Sequence, residues 1–350
     1  MLFNEFYTQE IHGPYELYDL GDFTLEKGGT IRNCKLTYTT LGTLSPTRDN
    51  AILIPTWYSG TNKVMEQVYV GKGKAIDPER YFVIIVNQLG NGLSSSPHNT
   101  PPPFNMAKFP PLSVSDDVRA QHKLITEKFG IERLELIMGG SLGAQQTYEW
   151  VVRFPFMVKR AAPVAGTAKT TQHDVLLVEK MIEAIVSDPA WKNGWYTRAH
   201  ALHVGLRRHA QNWALAGLSP ELFNGELWRN VGFSSLDDFL VGFLENYFLP
   251  MDPNNLLSQL WKHKSADVSR ITGGDLTQAM SRVEAKVFVM PIDTDMIFYV
   301  KDCEAEQKLI PNSELRVIKS SWGHLGLFGI EQQYVTQIDG NLRELLAYQV

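Results

Sequence analysis

A serine, an aspartate and a histidine follow one another along the chain, each just after an apolar run: Ser141, Asp295 and His324. A serine hydroxyl is a poor nucleophile at neutral pH and needs a positioned base. The base in turn needs a carboxylate that fixes its tautomer and stabilises the imidazolium. Ser141 sits in Gly139-Gly140-Ser141-Leu142-Gly143, after the apolar residues 134–138 and before residues 144–153, which read as a helix. Strand, sharp turn and helix is the setting in which G-x-S-x-G lifts a serine hydroxyl out of a sheet. Gly139 and Gly143 stand where strand and helix must cross too closely for a Cβ. The hydroxyl then lies at a helix N-terminus, which favours developing negative charge. The plain alternative is a glycine-rich turn with an incidental serine, and a base and an acid downstream speak against it.

Of the nine histidines, only His324 follows a late strand with a glycine before it. His209 and His263 fall on predicted helices and read as surface or packing residues. His98, after Pro97, is a weaker second candidate for the base. Asp295 precedes the hydrophobic step Met296-Ile297-Phe298 and is the preferred acid, with Asp293 as the alternative. A tetrahedral intermediate needs two backbone N–H donors. Leu142, directly after the serine, is one; Tyr58, before Ser59-Gly60 in the loop after an early strand, is the other. Trp57 and Tyr58 read equally well as packing residues under a cap.

These residues need a sheet to carry them. Residues 51–55, 81–87, 134–138, 160–166, 285–291 and 315–319 are short apolar runs, as suits parallel strands covered on both faces. Residues 15–40 alternate with period two and read as an antiparallel start to the sheet. Ser113 or Ser115 caps a helix running to about Phe129. From residue 171 the texture changes: helical stretches near 175–186, 200–216, 235–247 and 255–264 follow one another with no strand between them. Successive helices do not fit strand–helix alternation, so residues 171–283 read as a helical cap over a sheet built from residues 1–170 and 284–350.

Composition limits the chemistry further. The chain has 350 residues, 44% of them hydrophobic, and a net charge of −5. That balance gives no electrostatic case for nucleic acid or an anionic membrane as partner. The start lacks the basic and apolar regions of a signal peptide, and no apolar run is long enough to span a bilayer. Cys34 and Cys303 make neither a disulfide framework nor a metal spacing, so a cytoplasmic setting is the default. Gly90-Asn91-Gly92 lacks the rest of a dinucleotide fingerprint. Neither a metal nor a cofactor is expected.

Several stretches together resemble the homoserine O-acetyltransferase family, a branch of the α/β-hydrolase superfamily. They are Gly139 to Gly143 with Gln146 and Glu149-Trp150; Asn87-Gln88-Leu89-Gly90; Phe109-Pro110, Asp117-Val118 and Gln121; Asp188-Pro189-Ala190-Trp191 with Gly194 and Tyr196; and Asp293-Thr294-Asp295 with Gly323-His324. The resemblance spans nearly the whole chain. It implies an α/β-hydrolase fold with a mostly parallel sheet, flanking helices and a helical cap. It implies the triad Ser141, Asp295 and His324 in that superfamily's chain order, and a homodimer through the cap. Two departures bear on substrate. Family members that use homoserine carry an aspartate after the histidine, where this chain has Leu325. They carry a cap arginine in G-L-x-x-A-R, where Gly205-Leu206-Arg207-Arg208-His209-Ala210 ends in Ala210. A pocket without those charges cannot compensate a desolvated ammonium and carboxylate. Homoserine is therefore not the expected substrate, and Leu325 and Trp57 are expected to contact a less polar ester.

The first expectation is a serine ester hydrolase in which water resolves an acyl group on Ser141. The alternative is an acyltransferase that passes the same acyl group, from a donor of the acetyl-CoA type, to an alcohol or amine other than homoserine. A non-catalytic ligand-binding module of this fold is the third reading, and a complete triad argues against it.

Overall fold

The computed structural model describes residues 2–349. Its eight strands are β1 (Glu16–Thr24), β2 (Thr30–Leu41), β3 (Ala51–Pro55), β4 (Phe82–Val86), β5 (Leu136–Gly140), β6 (Arg160–Val164), β7 (Lys286–Val289) and β8 (Ser313–Leu315). They form one sheet in the order β1-β2-β4-β3-β5-β6-β7-β8. The pairings β1–β2 and β2–β4 are antiparallel; all the others are parallel. This agrees with the expected antiparallel start and parallel continuation.

The central strands are apolar throughout because both faces are covered. Leu53, Ile84 and Ile137 pack into one layer. Their neighbours Ile52, Ile54, Val83, Ile85, Leu136 and Met138 pack into the other, together with Tyr334, Ile338 and Leu342 of the closing helix Gln332–Ala347. The chain runs from β3 outward to β4 and then crosses to β5 on the other side of β3. That reversal opens a crevice beyond the C-terminal ends of β3 and β5, where open α/β sheets place their ligands.

The helix before β5 starts at Ser113, whose side chain and that of Asp116 form a reciprocal cap. Regular α-helix covers Val114–Lys123, and a π-helical turn over Leu124–Lys128 completes the expected span. Between β6 and β7 the described residues hold helices and no strand, the longest being Gln172–Val186, Val204–Gly217 and Pro253–Lys264. The last strand differs from expectation. It lies at Ser313–Leu315, and Ile318 contributes only an isolated bridge to Ile292. Pro291 is the cause: its carbonyl accepts from the Ile318 N–H at 2.8 Å, but it has no N–H to donate to the Arg316 carbonyl, so the ladder breaks there. No helix is long and apolar enough to cross a membrane among the described residues.

Candidate active site

Ser141 follows β5 and precedes the helix Leu142–Arg153 with φ 56° and ψ −123°. A non-glycine residue at positive φ is strained and persists only where its surroundings enforce it. Here the Ser141 N–H donates to the Val164 carbonyl of β6 at 2.9 Å, while the Ser141 carbonyl accepts from the Ala144 N–H at 2.8 Å. Helix and sheet cross so closely that a Cβ on Gly143 would stand 2.7 Å from the Pro55 carbonyl oxygen. The turn thus has one geometry open to it, with the hydroxyl at the crevice.

His324 lies in the 3-10 turn Gly323–Phe328 after the last strand. Its Nε2 is 2.9 Å from Ser141 Oγ, and its Nδ1 is 2.7 Å from Asp295 Oδ2. The other oxygen of Asp295 accepts from the Ile297 and Phe298 N–H groups at 2.8 and 3.1 Å. The carboxylate is therefore held from behind and aimed at the imidazole. All three side chains are buried. Asp293 does something else: it accepts from the Ser320 N–H at 3.1 Å and pairs with Lys319 at 3.0 Å. His98 is bonded to Asn255 at 2.9 Å and takes no part in the cluster.

The loop after β3 forms the opposite wall. Tyr58 and Trp57 line the same cavity as Ser141 and His324, and so does Leu325. Among the described residues, no protein acceptor engages the backbone N–H of Tyr58 or that of Leu142, so both are free for a ligand. The cavity holds about 450 Å³ of space unfilled by atoms, counting its mouth, and apart from Ser59 its remaining walls are aromatic or aliphatic, including Trp213, Phe248 and Phe328. No Lys, Arg, Asp or Glu side chain lines it among the described residues. Arg207 is ion-paired with Glu245, and Arg208 approaches Ser187. Neither replaces the arginine absent at Ala210.

The motif residues that carry the family resemblance hold this loop in place. Gln88 Nε2 and Gln146 Nε2 donate to the Thr56 carbonyl at 2.6 and 3.1 Å. Gln121 Nε2 donates to Gln146 Oε1 at 2.6 Å, and Trp150 Nε1 donates to Gln121 Oε1 at 2.7 Å. Asp117 accepts from the Leu89 N–H at 2.8 Å and forms a fully buried ion pair with Lys262. Lys262 also donates to Gln88 Oε1 and to the Leu89 carbonyl at 3.0 and 2.8 Å. This network runs from the helix Pro253–Lys264 to the residue just before Trp57.

Of the two alternatives, surface or packing, His209 and His263 take the second: both are buried. Burial pushes His263 down to about 3, with His324 adding to the effect, and its ring stacks on Phe298 with centroids 5.3 Å apart. Burial likewise pushes His209 down to about 4, and its Nε2 is 2.8 Å from the Tyr58 hydroxyl. Burial also raises Asp174 to about 6 and Glu306 to about 8.

A family model described as the alpha/beta hydrolase fold matches residues 52–329. The chain belongs to that family. This α/β-hydrolase is 53% identical over 344 residues to an ethyl acetate hydrolase of Pseudomonas veronii, covering 98% of this chain and 99% of the relative. Its fold superposes with a TM-score of 0.98 on the crystal structure of an acetylester hydrolase from Corynebacterium glutamicum, at 52% identity over 99% of this chain and all of that one. More distantly, it is 29% identical over 353 residues to a homoserine O-acetyltransferase of Trichormus variabilis, covering 97% of each chain. The chain is a divergent relative of those transferases that does not use homoserine.

Proposed function

We propose that Ser141, His324 and Asp295 are nucleophile, base and acid in the hydrolysis of small acetate esters. That the chain is an ester hydrolase accords with the names of its relatives at about half identity; the residue roles and the acetyl group are this proposal's own. The Nδ1–H of His324 donates to Asp295, which leaves Nε2 to take the Ser141 proton. Oγ then attacks the ester carbonyl, and the oxyanion is met by the N–H groups of Tyr58 and Leu142. His324 returns the proton to the departing alkoxide, leaving an acetyl group on Ser141. A water molecule repeats the cycle, with its proton taken by His324, its oxygen attacking the acyl carbon and Oγ leaving reprotonated. Acetic acid and the alcohol are the products.

The observation that carries hydrolysis over transfer is the wall of the cavity. An amino-acid acceptor would bury an ammonium and a carboxylate against Leu325, Trp213 and Phe248, with no ionised side chain to meet them. Residues 171–283 are proposed as the cap that excludes bulk water, within a homodimer that a solution mass would test. The decisive experiment incubates the His324→Ala variant with acetate esters and looks by mass spectrometry for an acetyl group on Ser141. In the wild type, acid release should not depend on an added alcohol or amine. Release only when an acceptor is added would establish the transferase instead.

A further inference from the structure

His209 stands on the helix Val204–Gly217, fully buried. Its Nδ1 faces the Met181 carbonyl at 3.3 Å. A carbonyl can only accept, so Nδ1 carries the proton and Nε2 is a bare acceptor. Two donors converge on that one lone pair: the Tyr58 hydroxyl at 2.8 Å and the Trp213 indole N–H at 3.1 Å. Burial disfavours a second proton on the ring, so the acceptor stays available at neutral pH.

Both donors are walls of the cavity over Ser141. Their rings stack with centroids 5.6 Å apart, and the Trp213 ring lies 6.0 Å from that of His324. Trp213 has little freedom on its far side. A Cβ on Gly217 would come 2.9 Å from its Cε3, so ring and helix are in close contact there. One imidazole on the inserted helices therefore ties together a residue of the β3 loop and a residue beside the base.

We infer that His209 is a positioning residue: its Nε2 holds Tyr58 and Trp213 together, and so fixes the Tyr58 backbone N–H at the oxyanion and the indole beside His324. This rests on the reading of Ser141 as nucleophile and of Tyr58 as oxyanion donor. Without the acceptor, two buried donors lose their partner and must move to regain one. An oxyanion donor works only within about 3 Å of the developing charge, so a small shift of the loop lowers kcat rather than binding.

The test compares His209→Gln, which can present an amide oxygen near the former Nε2, with His209→Leu, which presents no acceptor. Tyr58→Phe is the third variant, since it keeps the backbone N–H and loses the hydroxyl. His209→Leu and Tyr58→Phe should each lower kcat for an acetate ester by about 10- to 100-fold, with KM within about threefold. The double variant should be no slower than His209→Leu alone, because both changes cut the same tie. His209→Gln should recover most of kcat. The inference is overturned if Tyr58→Phe keeps full kcat, if the two losses multiply, if the loss falls on KM, or if Gln is no better than Leu. Should His209→Leu fail to fold, Tyr58→Phe and His209→Gln still decide the matter. Fluorophosphonate labelling of the wild type separates the two readings. No label on Ser141 defeats the nucleophile assignment, whereas normal labelling with unimpaired variants defeats only the role of His209.

Discussion

Replacing Asp295 with asparagine changes one atom and reverses the direction of a hydrogen bond. Oδ1 of Asp295 accepts from two backbone N–H groups, those of Ile297 and Phe298. The amide oxygen of an asparagine must take that side, because the opposite orientation sets an NH₂ against two N–H donors at a cost of about 1–3 kcal/mol each. The NH₂ then faces Nδ1 of His324, which the carboxylate meets at 2.7 Å in the wild type. Two donors cannot share a bond, so the imidazole proton moves to Nε2. Nε2 is the atom 2.9 Å from Ser141 Oγ, and once protonated it cannot accept the serine proton. The equivalent change in a serine-protease triad costs about 10⁴ in kcat, or about 5.5 kcal/mol in the barrier at 1.36 kcal/mol per decade. The assay is kcat for a nitrophenyl acetate, with thermal melting in parallel to show that the variant is folded. Asp293→Asn is the control. Its carboxylate serves Ser320 and Lys319, so kcat should change by less than about threefold, as for an exposed pair. A folded Asp295→Asn enzyme retaining more than about a tenth of wild-type kcat would refute the tautomer argument.

Three other outcomes follow from the described contacts. Glu306 is raised to about 8 by burial, against the pull of the Ala168 and Lys169 N–H groups. The folded protein therefore holds a proton that the unfolded chain has released by pH 6.5, so stability should fall as pH rises towards 8, by up to about 1.4 kcal/mol per pH unit. Urea denaturation should show that slope in the wild type and lose it in Glu306→Gln; equal slopes would contradict the assignment. Lys262→Met leaves the buried Asp117 carboxylate unpaired and should cost about 3–5 kcal/mol, part of which the double change Asp117→Leu with Lys262→Met should recover. A double variant less stable than the single one would count against the pair. Gly143→Ala drives a methyl towards the Pro55 carbonyl and should cost about 1–3 kcal/mol while reducing kcat at least about tenfold; unchanged melting and rate would mean that helix and sheet have slack there.

The residues of the cluster were legible because each announces itself locally. Ser141 has its glycines, Asp295 follows the buried strand β7, and His324 follows a glycine in the loop after a late apolar run. The choice between Asp295 and Asp293 was open in the sequence because both sit on one loop. Backbone donors aimed at Asp295 and a lysine beside Asp293 separate them, and neither feature leaves a mark in composition or spacing. The partners of His209 were hidden in the sequence for a related reason. A histidine on a helix is ordinary, and its partners Tyr58 and Met181 lie 151 and 28 residues away. Gln88, Leu89, Asp117, Gln121 and Gln146 were recognisable as part of a pattern, but the network through which they hold Thr56 appears only when separations of up to 174 residues are closed. The last strand was placed too late because Val317-Ile318 looks apolar enough to pair, and the missing donor at Pro291 sits on another strand.

The bond between Ser141 and His324 spans 183 residues, with the helical segment between them. A nascent chain leaving the ribosome displays its glycine-flanked serine early, with no imidazole to draw off the proton. On the roles proposed for Ser141 and His324, the hydroxyl gains its reactivity only when the turn Gly323–Phe328 docks against the sheet. Ester turnover should then report completed folding, and a fragment cut before that turn should be silent in the same assay.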